Sequence, residues 1–386
     1  MSNLILPSLE IQNFRAFRDL KIDTLGKVNL IVGKNSVGKT CLLEAIRLYA
    51  ELGNPSLIRQ LLVERDELPS SRSNRDRSYE DEGDTFSAIR NLFHGRRDLY
   101  DNPQPIAIGQ IHRPNTLLKI STSWYVEELT EDRLRRWKRI EALPNGKPTQ
   151  TTFDFLGEST EKIIPGLAVR FGSNSEQSLP INRVLDRQYV GPRSGVDQAR
   201  STYVSAQGLT TSEIVQLWEN ITLTDLEYDV VRSLQLIAPN IERINLVGSA
   251  ERSAEQIVIV KLTDRNEPVP LKSMGEGLVR IFGIVLGLVN SQNGLFMVDE
   301  IESGLHFSVQ VELWRLLFEV AKRLNVQIFA TTHSWDCVEA FQYASSQAED
   351  DEGVLVRLQR NGDGISSTLF NEKHLEIATR EQIEIR

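Results

Sequence analysis

Hydrophobic and polar residues alternate from Ser8 to Phe14, and an apolar run rich in β-branched residues covers Val28 to Val32. The alternation predicts a half-buried strand, and the continuous run predicts a buried one. The segment CLLEAIRLYAEL then places apolar residues at positions 42, 43, 46 and 49, which is helical spacing. The chain therefore opens with strands, a glycine-containing loop at 33–40 and a helix.

Regular patterns return near residue 211. Thr211 or Ser212 is predicted to cap a helix that runs through Leu217 and Trp218. Further helices are predicted after Ser273 and at 223–237 and 307–324. Strands are predicted at 256–262, 295–300 and 326–332, and in the segments VLVRLQR and ISSTLF. Since strands alternate with helices here, we expect a mostly parallel or mixed sheet with helices on both faces.

The region between these two parts is less regular. Residues 64–84 are nearly all charged or small and polar, which predicts an exposed loop, and 144–152 is a second polar stretch. Between them, residues 131–143 read EDRLRRWKRIEAL and predict a basic helix.

Composition excludes several classes of protein. Across 386 residues, 44 Lys and Arg against 53 Asp and Glu give a net charge of −9, which argues against coating of nucleic acid through overall charge. Two cysteines are too few for a disulfide framework or a structural zinc site. The N-terminus does not resemble a signal peptide, and the longest apolar stretch, Leu278 to Val289, contains Arg280 and is too short to span a bilayer. We expect a cytoplasmic protein.

The loop at 33–40 reads GKNSVGKT and fits the pattern G-x-x-x-x-G-K-[ST]. Backbone N–H groups of such a loop cradle phosphate oxygens, aided by the positive end of the following helix. Lys39 can reach the β- and γ-phosphates, and the Thr40 hydroxyl can ligate Mg²⁺. The alternative is a chance Gly-Lys turn, but the predicted strand before it and helix after it are what the mechanism needs.

Two carboxylates, Asp299 and Glu300, follow the apolar strand that begins at Leu295. Asp299 is placed to hold Mg²⁺, and Glu300, which points elsewhere, can polarise an attacking water. The alternative is a buried strand that stops at a solvated acidic pair. His333 ends the next strand, at the carboxyl edge where parallel sheets bind ligands, and could hydrogen-bond a γ-phosphate. A satisfied structural histidine is the alternative there.

The segment SMGEG begins the helix that precedes the acidic strand. Ser273 at its N-cap could present a hydroxyl and backbone N–H groups to an anion, or could simply cap the helix. The segment ESGLH follows the two carboxylates directly.

Taken in order, LEIQNFRAF, GKNSVGKT, SMGEG, LFMVDEIESGLH and TTHS resemble the motifs of ABC-type ATPase heads. Such heads occur in RecF, in structural-maintenance-of-chromosomes (SMC) proteins and in overcoming-lysogenization-defect (OLD) ATPases. The likeness is closest to the stand-alone AAA-family, OLD-like ATPases of bacterial phage defence. It implies an α/β P-loop NTPase fold with a mixed sheet flanked by helices. The head would comprise residues 1–50 and 211–386, around an inserted, mainly helical and partly flexible lobe at 51–210.

The resemblance also implies the ligands and the site. ATP and Mg²⁺ would be the cofactors, with Glu300, His333 and Lys39 as catalytic groups and with Thr40 and Asp299 at the metal. The residues implied to contact the nucleotide within one chain are Gly33, Lys34, Asn35, Ser36, Val37, Gly38, Lys39, Thr40, Cys41 and Arg15. For Arg15, a surface arginine on an edge strand is the alternative. In a head-to-tail dimer, Ser273, Gly275 and Glu276 would act on the nucleotide of the partner, and Ser303 and Gly304 would cross the same interface.

Some positions depart from the family or stay open. SMGEG differs from the LSGGQ of transporters, which disfavours a transport role. The glutamine that contacts Mg²⁺ in many heads has two candidates, Gln110 and Gln188. A basic cluster around Trp137 could bind DNA phosphates or form a solvated helix face; its members are Arg133, Arg135, Arg136, Lys138 and Arg139.

The expected function is that of an ATPase that forms a homodimer or higher homo-oligomer around ATP and controls a separate effector. The residues after His333 are too few for the TOPRIM nuclease domain of OLD-type nucleases, so the effector would be another protein, a nuclease or a toxin, in antiphage defence. One alternative is a RecF-like repair ATPase that binds DNA ends or junctions. Another is a scaffold that binds nucleotide without hydrolysing it.

Overall fold

The structure is a computed structural model that describes residues 4–68, 86–99, 103–129, 135–140, 163–185, 199–248, 256–348, 353–362, 364–370 and 377. Its strands are β1 Leu9–Phe14, β2 Phe17–Ile22, β3 Val28–Val32, β4 Ile106–Gly109, β5 Leu118–Leu129, β6 Arg135–Ile140, β7 Ile163–Phe171, β8 Gln177–Pro180, β9 Ser201–Val204, β10 Ile241–Gly248, β11 Gln256–Leu262, β12 Val269–Pro270, β13 Leu295–Val298, β14 Gln327–Thr331, β15 Gly353–Asn361 and β16 Gly364–Phe370. Its helices are α1 Lys39–Ala50, α2 Pro55–Val63, α3 Ile181–Leu185, α4 Thr211–Ile221, α5 Asp225–Gln235, α6 Glu276–Asn290, α7 Phe307–Leu324 and α8 Trp335–Ser346. A 3₁₀ turn at Leu271–Met274 precedes α6.

A six-stranded central sheet has the order β16-β15-β3-β14-β13-β9. All its neighbouring strands are parallel except β16, which pairs antiparallel with β15. Strands β3, β13 and β14 are buried on both faces, which is why their sequences read as continuous apolar runs. The predicted mixed sheet is confirmed.

Alternate residues of the central strands face two different cores. Ile31, Met297 and Phe329 join the core that contains α1, whereas Leu30 and Phe296 join the core formed with α4 to α8. Both faces are thus covered, and the carboxyl ends of β3, β13, β14 and β9 lie together at one edge. No helix among the described residues is long and apolar enough to cross a membrane.

The second sheet corrects the expectation of a mainly helical insert. It has the order β2-β1-β4-β5-β7-β8, with β6 also paired to β5, and every pairing is antiparallel. The described part of 51–210 therefore contains more strand than helix, and it shares a sheet with the N-terminal hairpin. The long β5–β7 pairing joins residues far apart in sequence, so local patterns underestimate it.

The basic segment at 131–143 is also not the predicted helix. Its described residues form β6, in which Trp137 pairs with Glu127 of β5 and packs against the core. Arg139 donates from Nε to Ser123 Oγ at 2.7 Å and pairs with Glu176. Arg133, residues 69–84 of the predicted loop at 64–84 and the stretch at 144–152 lie outside the described residues.

Two expected boundaries are shifted. Strand β9 lies in the central sheet beside β13, so the head resumes before residue 211. Helix α4 is capped by Thr210, not by Thr211 or Ser212, because Thr210 and Glu213 form a reciprocal capping box. The Thr210 N–H donates to Glu213 Oε2 at 2.7 Å, which fixes the start of the helix.

Candidate functional site

The loop between β3 and α1, residues 33–40, has the backbone of a phosphate-binding loop. Gly33, Ser36 and Gly38 have φ values of 149°, 62° and 104°. At Gly33 an added Cβ would lie 2.6 Å from the Leu358 carbonyl oxygen, so only glycine fits. Lys39 Nζ donates to the Gly33 carbonyl at 2.7 Å, which places its ammonium over the concave side of the loop.

Lys39 sits in a partly buried, negatively charged setting. Burial lowers the pKa of its ammonium, and the neighbouring carboxylates of Asp299 and Glu300 oppose this effect. A phosphate bound beside Lys39 would compensate the charge of its ammonium more strongly than these carboxylates do.

Three elements bring hydroxyl and carboxylate oxygens together beside this loop. Thr40 Oγ1 donates to Asp299 Oδ2 at 2.9 Å, and Thr331 Oγ1 donates to Asp299 Oδ1 at 2.5 Å. Asp299 is 7 % exposed. A hydroxyl and a carboxylate are hard oxygen donors of the kind that Mg²⁺ takes from proteins, so the residues present fit that ion.

Glu300 and His333 lie next to each other at the ends of β13 and β14. Glu300 adopts a φ of 45°, and its N–H donates to Thr331 Oγ1 at 2.9 Å. His333 Nδ1 lies 3.8 Å from Glu300 Oε1 and 3.2 Å from Glu302 Oε1. Glu302, which is buried, also accepts the His333 backbone N–H at 3.0 Å. The sequence analysis did not single out Glu302, although it anchors the histidine.

These groups surround a cleft of about 500 Å³. Its lining residues are Ala16, Asn35, Ser36, Gly38, Lys39, Thr40, Cys41, Arg65, Asp299, Glu300 and His333. Gly33, Lys34 and Val37 belong to the loop without lining the cleft. Burial raises the pKa of the Cys41 thiol, which keeps it neutral and makes it a poor nucleophile.

Arg15 does not line the cleft, so the expectation that it contacts the nucleotide stays a prediction. Its side chain is 4 % exposed, with Nε 2.7 Å from Glu44 Oε2 and Nη1 3.0 Å from Glu67 Oε2. Two buried carboxylates need a cation nearby, and Arg15 provides it. It is also not a surface arginine on an edge strand, since it lies in the turn between β1 and β2.

Arg65 lines the cleft, and sequence reasoning missed it. Its Nε lies 2.7 Å from Glu44 Oε1, and its Nη2 donates to Cys41 Sγ at 3.4 Å. The side chain is 35 % exposed, so it is anchored at one side and open to the cleft at the other. It falls at the start of the polar stretch interpreted as a loop, and its sequence context carries no signal of this position.

Gln110, one of the two candidates for the metal-contacting glutamine, does not line the cleft. Gln110 is buried after β4 and donates to the Ile5 carbonyl at 2.9 Å, and Gln188 is outside the described residues. Gln207 is an exposed residue in the loop that follows β9. Because Val204 pairs in parallel with Val298, this loop leaves the sheet beside Asp299. A glutamine three residues after a short strand was the signal available in the sequence.

The signature segment, residues 273–277, is exposed and does not line the cleft of its own chain. Ser273 is not the expected N-cap, because it lies in the 3₁₀ turn and donates to the Pro270 carbonyl at 2.7 Å. Gly275, with a φ of 106°, caps α6 instead, and Glu276 begins the helix. Gly304, with a φ of 74°, is exposed beside this segment, while Ser303 is half-buried.

Comparison with known proteins gives one family and several partial likenesses. A family model described as "AAA domain, putative AbiEii toxin, Type IV TA system" matches residues 28–336. The chain is 24 % identical to the "ATP/GTP phosphatase" of Helicobacter pylori (strain ATCC 700392 / 26695), over 96 % of this chain and 100 % of that protein. Over 12 % of each chain it is 51 % identical to the "DNA replication and repair protein RecF" of Clostridioides difficile (strain 630). A solved structure titled "Crystal structure of the SmcHead bound to the C-winged helix domain of ScpA" covers 98 % of this chain and 100 % of its own, with 12 % identity and a TM-score of 0.47.

Proposed function

The chain belongs to the AAA-domain family matched over residues 28–336, and on this premise we propose that it binds and hydrolyses ATP. It is an ABC-type ATPase head of the RecF/SMC group, with the mixed α/β fold of a P-loop ATPase. The observation that carries the proposal is the junction of Thr40, Asp299 and Thr331, with Glu300 and His333 beside it.

Each group has a distinct part in the proposed reaction. Loop N–H groups and Lys39 bind the β- and γ-phosphates, and Thr40 and Asp299 would hold Mg²⁺, which would neutralise phosphate charge. Glu300 accepts a proton from the attacking water as the new P–O bond forms and the bond to the β-phosphate oxygen breaks. His333, held by Glu302, donates a hydrogen bond to the γ-phosphate.

Two residues that the sequence analysis did not assign complete the site. We assign Gln207 as a further residue that would hold Mg²⁺ beside Asp299, because the loop after β9 leaves the sheet there. Arg65 is assigned to the α-phosphate, because it contacts Cys41 on the first turn of α1. Replacement of either residue is expected to weaken hydrolysis without unfolding the protein.

The exposed signature segment supports an ATP-dependent homodimer. Ser273, Gly275 and Glu276 are exposed and turned to solvent, where a second copy can supply them to the partner's γ-phosphate. Gly304 is exposed next to them. If the site is complete only when two copies dock, the rate of ATP hydrolysis would depend on whether the protein is dimeric.

For the biological role, we propose control of a separate effector, a nuclease or toxin, in antiphage defence. The family description, which names the AbiEii toxin and a type IV toxin–antitoxin system, supports this setting. A RecF-like role at DNA ends or junctions is the second candidate, supported by the short segment that is 51 % identical to RecF.

The test of the enzyme proposal is phosphate release by wild type and by Glu300→Gln. Wild type should turn over ATP, and the variant should bind ATP with unchanged affinity while losing at least a hundredfold in turnover. Lys39→Ala, the binding control, should lose nucleotide affinity. Equal turnover by wild type and Glu300→Gln would refute hydrolysis and favour the scaffold. Light scattering of Glu300→Gln with ATP should show a dimer that Ser273→Arg abolishes.

A further inference from the structure

Arg280 is a buried cation in the otherwise apolar middle of α6. It is 7 % exposed, and its neighbours Ile281, Phe282 and Ile284 are buried core residues. Placing a guanidinium there costs free energy unless its N–H groups are satisfied. An apolar residue would fit the helix pattern better, so the arginine needs a reason.

The guanidinium reaches backbone carbonyls at the ends of two neighbouring strands. Nη1 donates to Ser205, directly after β9, and Nη2 donates to Asp299 at 2.8 Å and to Glu300 at 3.2 Å, directly after β13. A planar guanidinium can satisfy several acceptors at fixed angles, which lysine cannot. Burial lowers the pKa of Arg280, while the charges of Asp299 and Glu302 oppose this effect.

The same helix approaches the segment that follows the two carboxylates. An added Cβ at Gly277 would lie 3.3 Å from the Gly304 carbonyl oxygen and 3.8 Å from Leu305. The start of α6 and residues 303–305 therefore pack closely. Through Arg280 and Gly277, α6 touches the loop after β9, the end of β13 and the segment around Gly304.

Glu300 is the residue for which this support matters most. Its φ of 45° is a left-handed conformation that a glutamate rarely adopts, and such a conformation persists where the surroundings fix it. Thr331 holds its N–H, and Arg280 holds its carbonyl. Hydrogen bonds thus hold both the backbone N–H and the carbonyl of Glu300, and its carboxylate faces the cleft beside His333.

We propose that Arg280 is a positioning residue that fixes the left-handed Glu300 and locks the signature helix α6 to the ends of β9 and β13. It does not touch the nucleotide, and it acts through the backbone of Glu300 and of the loop that carries Gln207. The expected effect on turnover rests on the proposed hydrolysis of ATP. The expected effect on the backbone structure does not.

The experiment compares Arg280→Lys and Arg280→Met with the matched control Arg47→Lys. Arg47 is an equally buried arginine, 5 % exposed, that pairs with Glu64, directly after α2, and stacks on Tyr203. Affinity for a fluorescent ATP analogue should stay within threefold in all variants. Turnover should fall at least tenfold in Arg280→Lys and further in Arg280→Met. Arg47→Lys should keep its turnover within twofold of wild type even if it unfolds at a lower temperature.

Hydrogen exchange supplies the readout that does not need activity. Amides in 205–208 and 299–305 should exchange faster in both Arg280 variants and stay unchanged in Arg47→Lys. If wild type hydrolyses ATP and Arg280→Met keeps its turnover and exchange rates, the positioning role is refuted. If wild type does not hydrolyse ATP, the proposed function fails, and unchanged exchange in the Arg280 variants would still refute the positioning role on its own.

Discussion

Replacement of Arg15 separates its structural role from a nucleotide-binding one. Arg15 lies between Glu44 and Glu67, at 2.7 Å and 3.0 Å, with its side chain 4 % exposed. Removing one partner of a buried ion pair typically costs 3–5 kcal/mol, because the remaining charge stays buried. Glu44 keeps Arg65 as a partner, so Arg15→Ala should cost about 3 kcal/mol, at the lower end of that range.

The measurement is equilibrium unfolding in urea, extrapolated to water, alongside the dissociation constant for an ATP analogue. Arg15→Lys keeps a charge and should recover part of the loss. Arg96→Ala is the matched control, since Arg96 pairs with the same Glu67 at 3.8 Å but is 69 % exposed, and it should cost about 0–1 kcal/mol. If Arg15→Ala instead unfolds like wild type and weakens ATP binding tenfold, the buried ion-pair argument is refuted and Arg15 belongs to the cleft.

Other predictions concern Thr331 beside Asp299, Gly33 in the phosphate loop, and Cys337. Thr331→Val removes the hydroxyl that holds Asp299 and should lower turnover about tenfold to a hundredfold with ATP affinity nearly unchanged, in phosphate-release and binding assays. Gly33→Ala forces a Cβ against a carbonyl and should abolish ATP-analogue binding, and retained binding would contradict the loop geometry. Cys337 is 1 % exposed, and burial raises its pKa to about 12, so iodoacetamide at pH 8 should label it in urea but not in the native protein, as mass spectrometry can show.

The sequence predicts the central sheet well because its signals are local. The apolar runs at β3, β13 and β14 and the helix at 307–324 are visible over short windows. Their order also places Asp299 and His333 at one edge, since consecutive parallel strands end together. The phosphate loop can be predicted from its own eight residues and from the strand and helix that flank them.

The parts that the sequence did not predict depend on partners that are distant along the chain. Strand β6 forms because its backbone pairs with β5. This pairing overrides the helical spacing of apolar residues within the segment. Arg15 and Arg65 share Glu44, and no local pattern shows which of the two faces the cleft. Gln207 becomes a candidate once β9 is known to pair with β13.

The shared second sheet bears on how the insert can influence the site. Strand β1 pairs with β4 from the insert and with β2 of the N-terminal hairpin. The β1–β2 turn in turn lies against the phosphate loop, where an added Cβ at Gly38 would be 3.1 Å from the Phe17 ring. Close-packed contacts of this kind transmit displacements instead of absorbing them. The described strands of 51–210 therefore share a sheet with the strands whose turn lies against the phosphate loop, and they belong to the support of that loop.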